Sequence, residues 1–235
     1  MTLRFSFAPS AAEAASRAAR AIAREVNRDT RPTLLLLSGG SALRVVDALG
    51  SKAQERDNLT VAMVDDRFSP RSAQNNFAQL AMREAFGSLV RFVDSRPRKK
   101  ESFAQYAARI RSALLNWLRA NKRGGRVVAL LGIGHDGHIA GIFPLEKPLF
   151  QATYGGRKLV ASVELPRGVN PYRRRVSVTP RFLREYVETG VVFADATKHA
   201  VLQRLKGAHD APLWEFPAAV LRTMRNVTIV HSRAP

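Results

Sequence analysis

The apolar run Val127-Val128-Ala129-Leu130-Leu131 leads directly into Gly132-Ile133-Gly134-His135-Asp136-Gly137-His138-Ile139-Ala140-Gly141-Ile142-Phe143-Pro144. A strand that is apolar at every position has no face to give to water. Both of its faces must be covered, as happens in a parallel sheet held between layers of helices. Loops leaving the carboxyl ends of such strands gather at one rim of the sheet, where ligands of open α/β folds bind. The loop here is paced by glycines that let backbone approach a ligand closely. It also carries a carboxylate and two imidazoles, which titrate near neutrality. This is the residue pattern of a catalytic loop.

The rest of the chain alternates in the same way. Residues 12–26 place Ala15, Ala18, Ile22 and Val26 at helical spacing, and Thr33 to Leu37 reads as a second buried strand. Ser38-Gly39-Gly40-Ser41 then opens a helix carrying Leu43, Val45, Val46 and Leu49. Further strands are expected at Thr60–Val64, Leu89–Val93, Lys158–Val163, Arg175–Val178, Val191–Phe193 and Val227–Val230. Helices are expected at Asn76–Phe86, Ser102–Ala120, Arg181–Tyr186 and Thr197–Leu205. Phe103, Tyr106, Ile110, Leu114 and Trp117 form one stripe of the long helix and are expected in the core. The alternation predicts an α/β fold: a doubly wound, mainly parallel, Rossmann-like sheet flanked by helices, joined by right-handed crossovers. Residues 1–235 are expected to form a single domain, with 144–173 as a candidate insertion.

Composition narrows the chemistry. The chain has no cysteine, which excludes disulfides, thiolate catalysis and cysteine-ligated metals. Its apolar runs are too short to span a membrane and its start lacks a signal-peptide core, so a cytoplasmic protein is expected. Lys and Arg number 38 against 19 Asp and Glu, a formal net charge of +19. Such a field attracts polyanions and phosphorylated substrates. The basic residues are spread along the chain, however, and the clusters Arg96-Pro97-Arg98-Lys99-Lys100 and Arg173-Arg174-Arg175 lack interleaved aromatics. Nucleic acid is therefore not expected as the main partner.

Four groups of residues can carry chemistry. The Ser38–Ser41 turn offers backbone N–H groups at a helix start, a natural phosphate cradle, though tight-turn geometry alone also explains its glycines. Asp65-Asp66-Arg67 follows a strand onto the same rim. Its carboxylates can orient water or accept a proton, and Arg67 can grip an anion in bidentate fashion. His135, Asp136 and His138 form the third group. A metal would need a third ligand from His199, His209 or His231, and none has a neighbourhood that suggests one, so no metal site is expected. Lys198 and Arg175 could add cations to an anion site.

In this order the motifs resemble the 6-phosphogluconolactonase family and its relatives, the glucosamine-6-phosphate deaminases and isomerases. The most specific piece is Gly132–Pro144, similar to the lactonase pattern G-x-G-x-D-G-H-x-A-S-L-F-P. Leu37-Ser38-Gly39-Gly40-Ser41 looks like the sugar-phosphate loop. Val64-Asp65-Asp66-Arg67 with Asn76 resembles the D-E-R…S-N segment, Arg175–Thr179 the R-x-T/S-x-T stretch, and Lys198 the lysine of G-x-x-K. The chain departs at Ala42-Leu43 (usually Thr-Pro), at Asp66 (glutamate), at Gly141 (serine) and at Asp195 (glycine). The deaminase branch has a glutamate immediately before the proline, where this chain has Phe143.

The resemblance implies hydrolysis of 6-phospho-glucono-1,5-lactone to 6-phosphogluconate, a pentose phosphate pathway step needing no cofactor. It implies His138 as base, with Asp136 and Asp65 as the other catalytic residues. Gly39, Gly40, Ser41, Arg67, Asn76, Arg175 and Lys198 would bind the phosphorylated sugar lactone, in a monomer or homodimer without membrane association. Two alternatives stay open: a sugar-phosphate-binding protein with weakened catalysis, and a deaminase-like enzyme.

Overall fold

The computed structural model describes residues 2–50, 56–69, 71, 74–83, 85–207 and 210–232. Seven strands form one sheet: β1 (Thr2–Ala8), β2 (Thr33–Leu37), β3 (Leu59–Met63), β5 (Arg91–Phe92), β6 (Arg126–Gly132), β9 (Val187–Ala194) and β10 (Asn226–Ser232). Their order is β1-β10-β9-β6-β2-β3-β5, and every pairing is parallel. Helices α1 (Ala11–Asn27), α2 (Leu43–Leu49), α3 (Asn76–Ala81), α4 (Phe103–Ala120), α5 (Lys147–Tyr154), α6 (Pro180–Tyr186) and α7 (His199–Gly207) complete the regular structure. The expected fold class is the observed one.

The sheet is apolar on both faces because both are covered. Along β2, Leu34 and Leu36 join one core cluster with α4 residues Tyr106 and Ile110, while Leu35 and Leu37 join the other with α1 and α2. β6 divides in the same alternation. Helix α1 turns a row of alanines, Ala14, Ala15, Ala18 and Ala19, to the sheet, and Ser10 caps its start by accepting from the Glu13 N–H at 3.1 Å. Tyr106 of the predicted aromatic stripe is fully buried, and Phe103 and Trp117 pack partly buried against the same core.

Several expectations need correction. Lys158–Val163 and Arg175–Val178 do not extend the main sheet. As β7 (Val160–Glu164) and β8 (Arg174–Val178) they build a second, three-stranded antiparallel sheet with β4 (Asp65–Arg67). The Asp65–Arg67 segment is thus a strand of that small sheet rather than the tail of β3. The strand expected at Leu89–Val93 shortens to two residues, and the helix from Asn76 ends at Ala81, while Val191–Phe193 is the interior of an eight-residue strand. β1 adds a strand beyond those expected: Leu3, Phe5 and Phe7 alternate with polar residues, and the segment pairs in parallel with β10 at the sheet edge. The 144–173 segment carries α5 and β7, and through β7 it joins the small sheet.

From the centre the chain winds outward in two directions, through β3 and β5 beside β2 and through β9 and β10 beside β6, while the N-terminal β1 forms the edge beside β10. Loops leaving adjacent strands part at such a switch point and leave a crevice at their carboxyl ends. Here those loops are Ser38–Ser41 and 133–141, stitched together by the Ser38 N–H on the Leu130 carbonyl (2.9 Å) and the Gly132 N–H on Ser38 Oγ (3.1 Å).

The second loop turns through Gly137, whose φ of +85° favours glycine and whose absent Cβ would sit 2.3 Å from the buried Phe216 ring. Gly137→Ala is expected to destabilise the protein by about 2–4 kcal/mol, combining left-handed strain with overpacking. Urea denaturation checks this; a loss under about 0.5 kcal/mol would show that the loop relaxes freely.

Candidate active site

The crevice is a cleft of about 240 Å³ lined by nine of the ten residues singled out in the sequence: Gly39, Gly40, Ser41, Asp65, Arg67, Asn76, His138, Arg175 and Lys198. The tenth, Asp136, does not line it but holds His138. Its Oδ1 lies 2.6 Å from His138 Nδ1 and accepts the His138 backbone N–H at 3.1 Å. The imidazole also stacks on the buried Phe143 ring, centroids 4.6 Å apart. Burial raises the Asp136 carboxyl, but the hydrogen bond and charge of His138 outweigh it and hold it below its ordinary range. A charged Asp136 makes Nδ1 the donor, so a neutral ring carries its lone pair on Nε2. Nε2 has no hydrogen-bond partner among the described residues.

The opposite wall comes from the small sheet. In the β4–β8 register Asp65 faces Ser177 and Arg67 faces Arg175, so two guanidiniums meet directly across the strands. Each is held differently. Arg175 forms a buried ion pair with Asp65 (Nη1–Oδ2 2.9 Å) and donates to the Tyr172 carbonyl (3.0 Å) and Asn170 Oδ1 (2.9 Å). Arg67 has no carboxylate partner among the described residues. It lies 4.1 Å over the Tyr172 ring and donates to the Gln74 carbonyl at 3.2 Å, while its buried Nε is unpaired. Burial first, and then the charge of Arg175, lowers the Arg67 pKa, and burial likewise lowers that of Lys198. Cations desolvated in this way favour an anionic ligand.

Asp66 points away from the cleft, as alternation along β4 requires. Its carboxylate accepts the backbone N–H groups of Arg67 (2.7 Å), Asn76 (2.6 Å) and Phe77 (3.1 Å), and the Ser95 hydroxyl at 2.5 Å. Burial pushes its pKa up to about 7 against these four bonds, which favour the charged form. The side chain therefore fixes the start of α3, whose Asn76 lines the cleft and donates to the Asp65 carbonyl at 3.2 Å. Asn76 Oδ1 is buried without a partner.

Two departures from the family pattern have local causes. A Cβ on Gly141 would lie 2.8 Å from Ser177 Cβ, and the Gly141 N–H donates to Ser177 Oγ at 2.9 Å, so the glycine admits the small sheet against the loop. Ala140 beside it holds a φ of +52°, strained for a residue with a Cβ. Asp195 does not line the cleft; its Oδ1 accepts from the Thr197 N–H (3.1 Å) and hydroxyl (2.5 Å), capping the turn that presents Lys198.

Tyr172, Asn170 and Pro171 complete the wall without having been singled out in the sequence. An Asn-Pro turn immediately before an arginine-rich strand was the available signal. His135 is exposed, His199 contacts Gln203, His231 packs against Phe5 and Phe7, and His209 lies outside the described residues. Among the described residues no three His, Asp or Glu side chains gather as metal ligands. None of the described helices is long and apolar enough to cross a membrane.

The family of glucosamine-6-phosphate isomerases and 6-phosphogluconolactonases has a sequence model that matches residues 8–230. The chain belongs to this family. No curated protein sequence matches the chain. Solved structures share the family fold at low identity. The 6-phosphogluconolactonase of Thermotoga maritima is 21% identical with a TM-score of 0.75, covering 99% of this chain and 100% of its own. That of Shewanella baltica is 16% identical with a TM-score of 0.78, covering 98% of each chain. A monomeric glucosamine-6-phosphate deaminase is 17% identical with a TM-score of 0.69, covering 98% and 97%.

Two outcomes are expected from this geometry. In Tyr172→Ala, Arg67 loses its aromatic support, worth about 0.5–2 kcal/mol, and calorimetry should show affinity for inorganic phosphate falling about 3- to 10-fold. Tyr172→Phe keeps the ring and should match the wild type; equal losses in both variants would refute the stacking role. In His138→Ala, Asp136 loses the imidazole hydrogen bond and charge that lower it, so its carboxyl titrates higher than in the wild type by carbon-detected NMR. In the wild type, the lowered folded pKa contributes stability above the unfolded carboxylate pKa. That contribution is lost as pH falls through the folded value, and it shrinks in the variant.

Proposed function

We propose that the protein hydrolyses 6-phospho-glucono-1,5-lactone to 6-phosphogluconate, with His138 as general base. The observation that carries this reading is the Asp136–His138 pair, with Nε2 free, facing a wall of Arg67, Arg175 and Lys198 across one cleft. Lactone hydrolysis needs an activated water, donors for developing oxyanion charge and a proton for the leaving ring oxygen. Nε2 takes a proton from water as the water oxygen bonds to the lactone carbonyl carbon. The resulting imidazolium is stabilised by charged Asp136. As the tetrahedral intermediate collapses and the carbon–ring-oxygen bond breaks, the same proton passes to the leaving oxygen. Atoms and charge balance without a cofactor.

Arg67 and Lys198, with the N–H groups of the Gly39–Ser41 turn, bind the phosphate. Asn76, whose Oδ1 lacks a partner, takes a sugar hydroxyl. Asp65 serves the reaction by neutralising and aiming Arg175. The net charge of +19 raises the capture rate of a dianionic substrate, an effect that fades with salt. Phe143 supports the lactonase over a deaminase: it is buried and stacked on His138 where the deaminase branch carries its acid.

The test is lactone hydrolysis coupled to 6-phosphogluconate dehydrogenase, with the spontaneous rate subtracted. The wild type is expected to accelerate the reaction, and His138→Ala to lose about 10²- to 10⁴-fold of kcat while keeping its fold. Full activity in that variant would remove His138 as base. No acceleration by the wild type would leave a binding protein with the same cleft.

A further inference from the structure

A larger cavity, about 590 Å³, opens at the opposite pole of the sheet, where β6 and β9 begin beside the end of α4. The seven residues of β6 separate it from the catalytic rim, roughly 20 Å of strand. Its volume lies in the range of small-molecule sites, about 300–1,000 Å³. Trp117, Leu118, Leu159 and Tyr186 supply an apolar lining. Trp117 spends its one polar atom on Thr60 Oγ1 at 3.1 Å, leaving the body of the ring as surface.

The charges around this lining are unevenly satisfied. Both carboxylates in the wall are engaged by arginines outside it: Glu188 by Arg28 and Arg31, and Glu185 by Arg181 at 2.7 Å. Among the cations in the wall, Arg126 is paired with Glu25 and Asp29, and the three at the rim are not matched. Arg119 reaches only the Asn116 amide oxygen (3.1 Å) and Arg225 only the Glu185 backbone carbonyl (3.2 Å). Neither these two nor Lys122 has a carboxylate within 4.0 Å among the described residues. The inner wall is rigid: Arg126, its side chain fully buried, donates to Thr33 Oγ1 (3.0 Å) and to carbonyls at the end of α1, with Nη1 left without a hydrogen-bond partner.

We propose that this cavity is a second binding site, for a small organic anion: a flat apolar body bearing a carboxylate, phosphate or sulfonate. The apolar body lies against Trp117, Leu118, Leu159 and Tyr186, and the anionic group is met by Arg119, Lys122 and Arg225. A sugar phosphate, polar on every edge, fits the catalytic cleft and not this lining, so the two sites take different chemistry.

The probe is 8-anilinonaphthalene-1-sulfonate, titrated into the full chain and followed by dye fluorescence and tryptophan quenching. One saturable site is expected, not displaced by saturating 6-phosphogluconate. Lys122→Glu combined with Arg225→Glu, both at the surface, should weaken it at least 10-fold while circular dichroism and catalytic activity stay unchanged. The uncharged N-phenyl-1-naphthylamine should bind at least 10-fold more weakly than the sulfonate. Absence of saturable binding, displacement by the sugar phosphate, equal binding by the double variant, or equal binding of the uncharged dye would each overturn the proposal.

Discussion

β2 and β6 lie side by side at the centre of the sheet, and from that pair the chain winds outward in opposite directions. Buried on both faces, the two strands run parallel in register from Thr33–Arg126 to Leu37–Leu130, and β6 continues two residues further to Gly132. Their following loops part, because the chain goes on to β3 beside β2 and to β9 beside β6. The crevice between such diverging loops is where ligands of open α/β sheets bind. Ser38, immediately after β2, ties the two loops together by two hydrogen bonds to the end of β6. The imidazole stands on the loop that leaves β6, and the arginines that face it stand on the small sheet.

The small antiparallel sheet supplies the second wall and carries an electrostatic conflict. Register sets Arg67 opposite Arg175, an arrangement that would weaken a sheet whose only task was to be stable. Asp65 offsets one charge, and Tyr172 offers the other a π face instead of a counter-ion. A carboxylate matched to Arg67 as well would take up its charge, and an anionic ligand would have to displace that carboxylate. Leaving Arg67 without one keeps a desolvated cation ready, at a cost borne by the surrounding hydrogen bonds.

Much of this was legible in the sequence, for identifiable reasons. The continuous apolar runs at 33–37 and 127–131 admit no half-exposed reading, so the parallel sheet followed from them. The glycine-paced loop placed Asp136 two residues from His138, and a carboxylate so placed can reach back to the imidazole. What stayed hidden depends on partners distant in the chain. Asp65 and Arg175 are 110 residues apart, and only the β4–β8 pairing brings them together. The roles of Tyr172 and Asn170 likewise depend on where a nine-residue connection between β7 and β8 folds back. The alternation of Leu3, Phe5 and Phe7 marks β1 as a strand, but its partner β10 comes from the far end of the chain.

The substitutions within the family pattern show how neighbours absorb a change. Ala42 and Leu43, where Thr-Pro is usual, are buried in the core cluster shared with α1 and α2, so the lost hydroxyl is exchanged for packing beneath the loop. Gly141 makes room for Ser177, whose hydroxyl then accepts the Gly141 N–H and donates to the Val178 carbonyl at 2.8 Å. A serine at 141 would need the small sheet to withdraw, and with it Arg175. Asp195 adds negative charge near Lys198, yet its oxygen is committed to Thr197 and fixes the turn from which the lysine projects. Each change thus falls on a residue that supports the cleft, while His138, Arg67 and Lys198 keep the identities that the family pattern gives them.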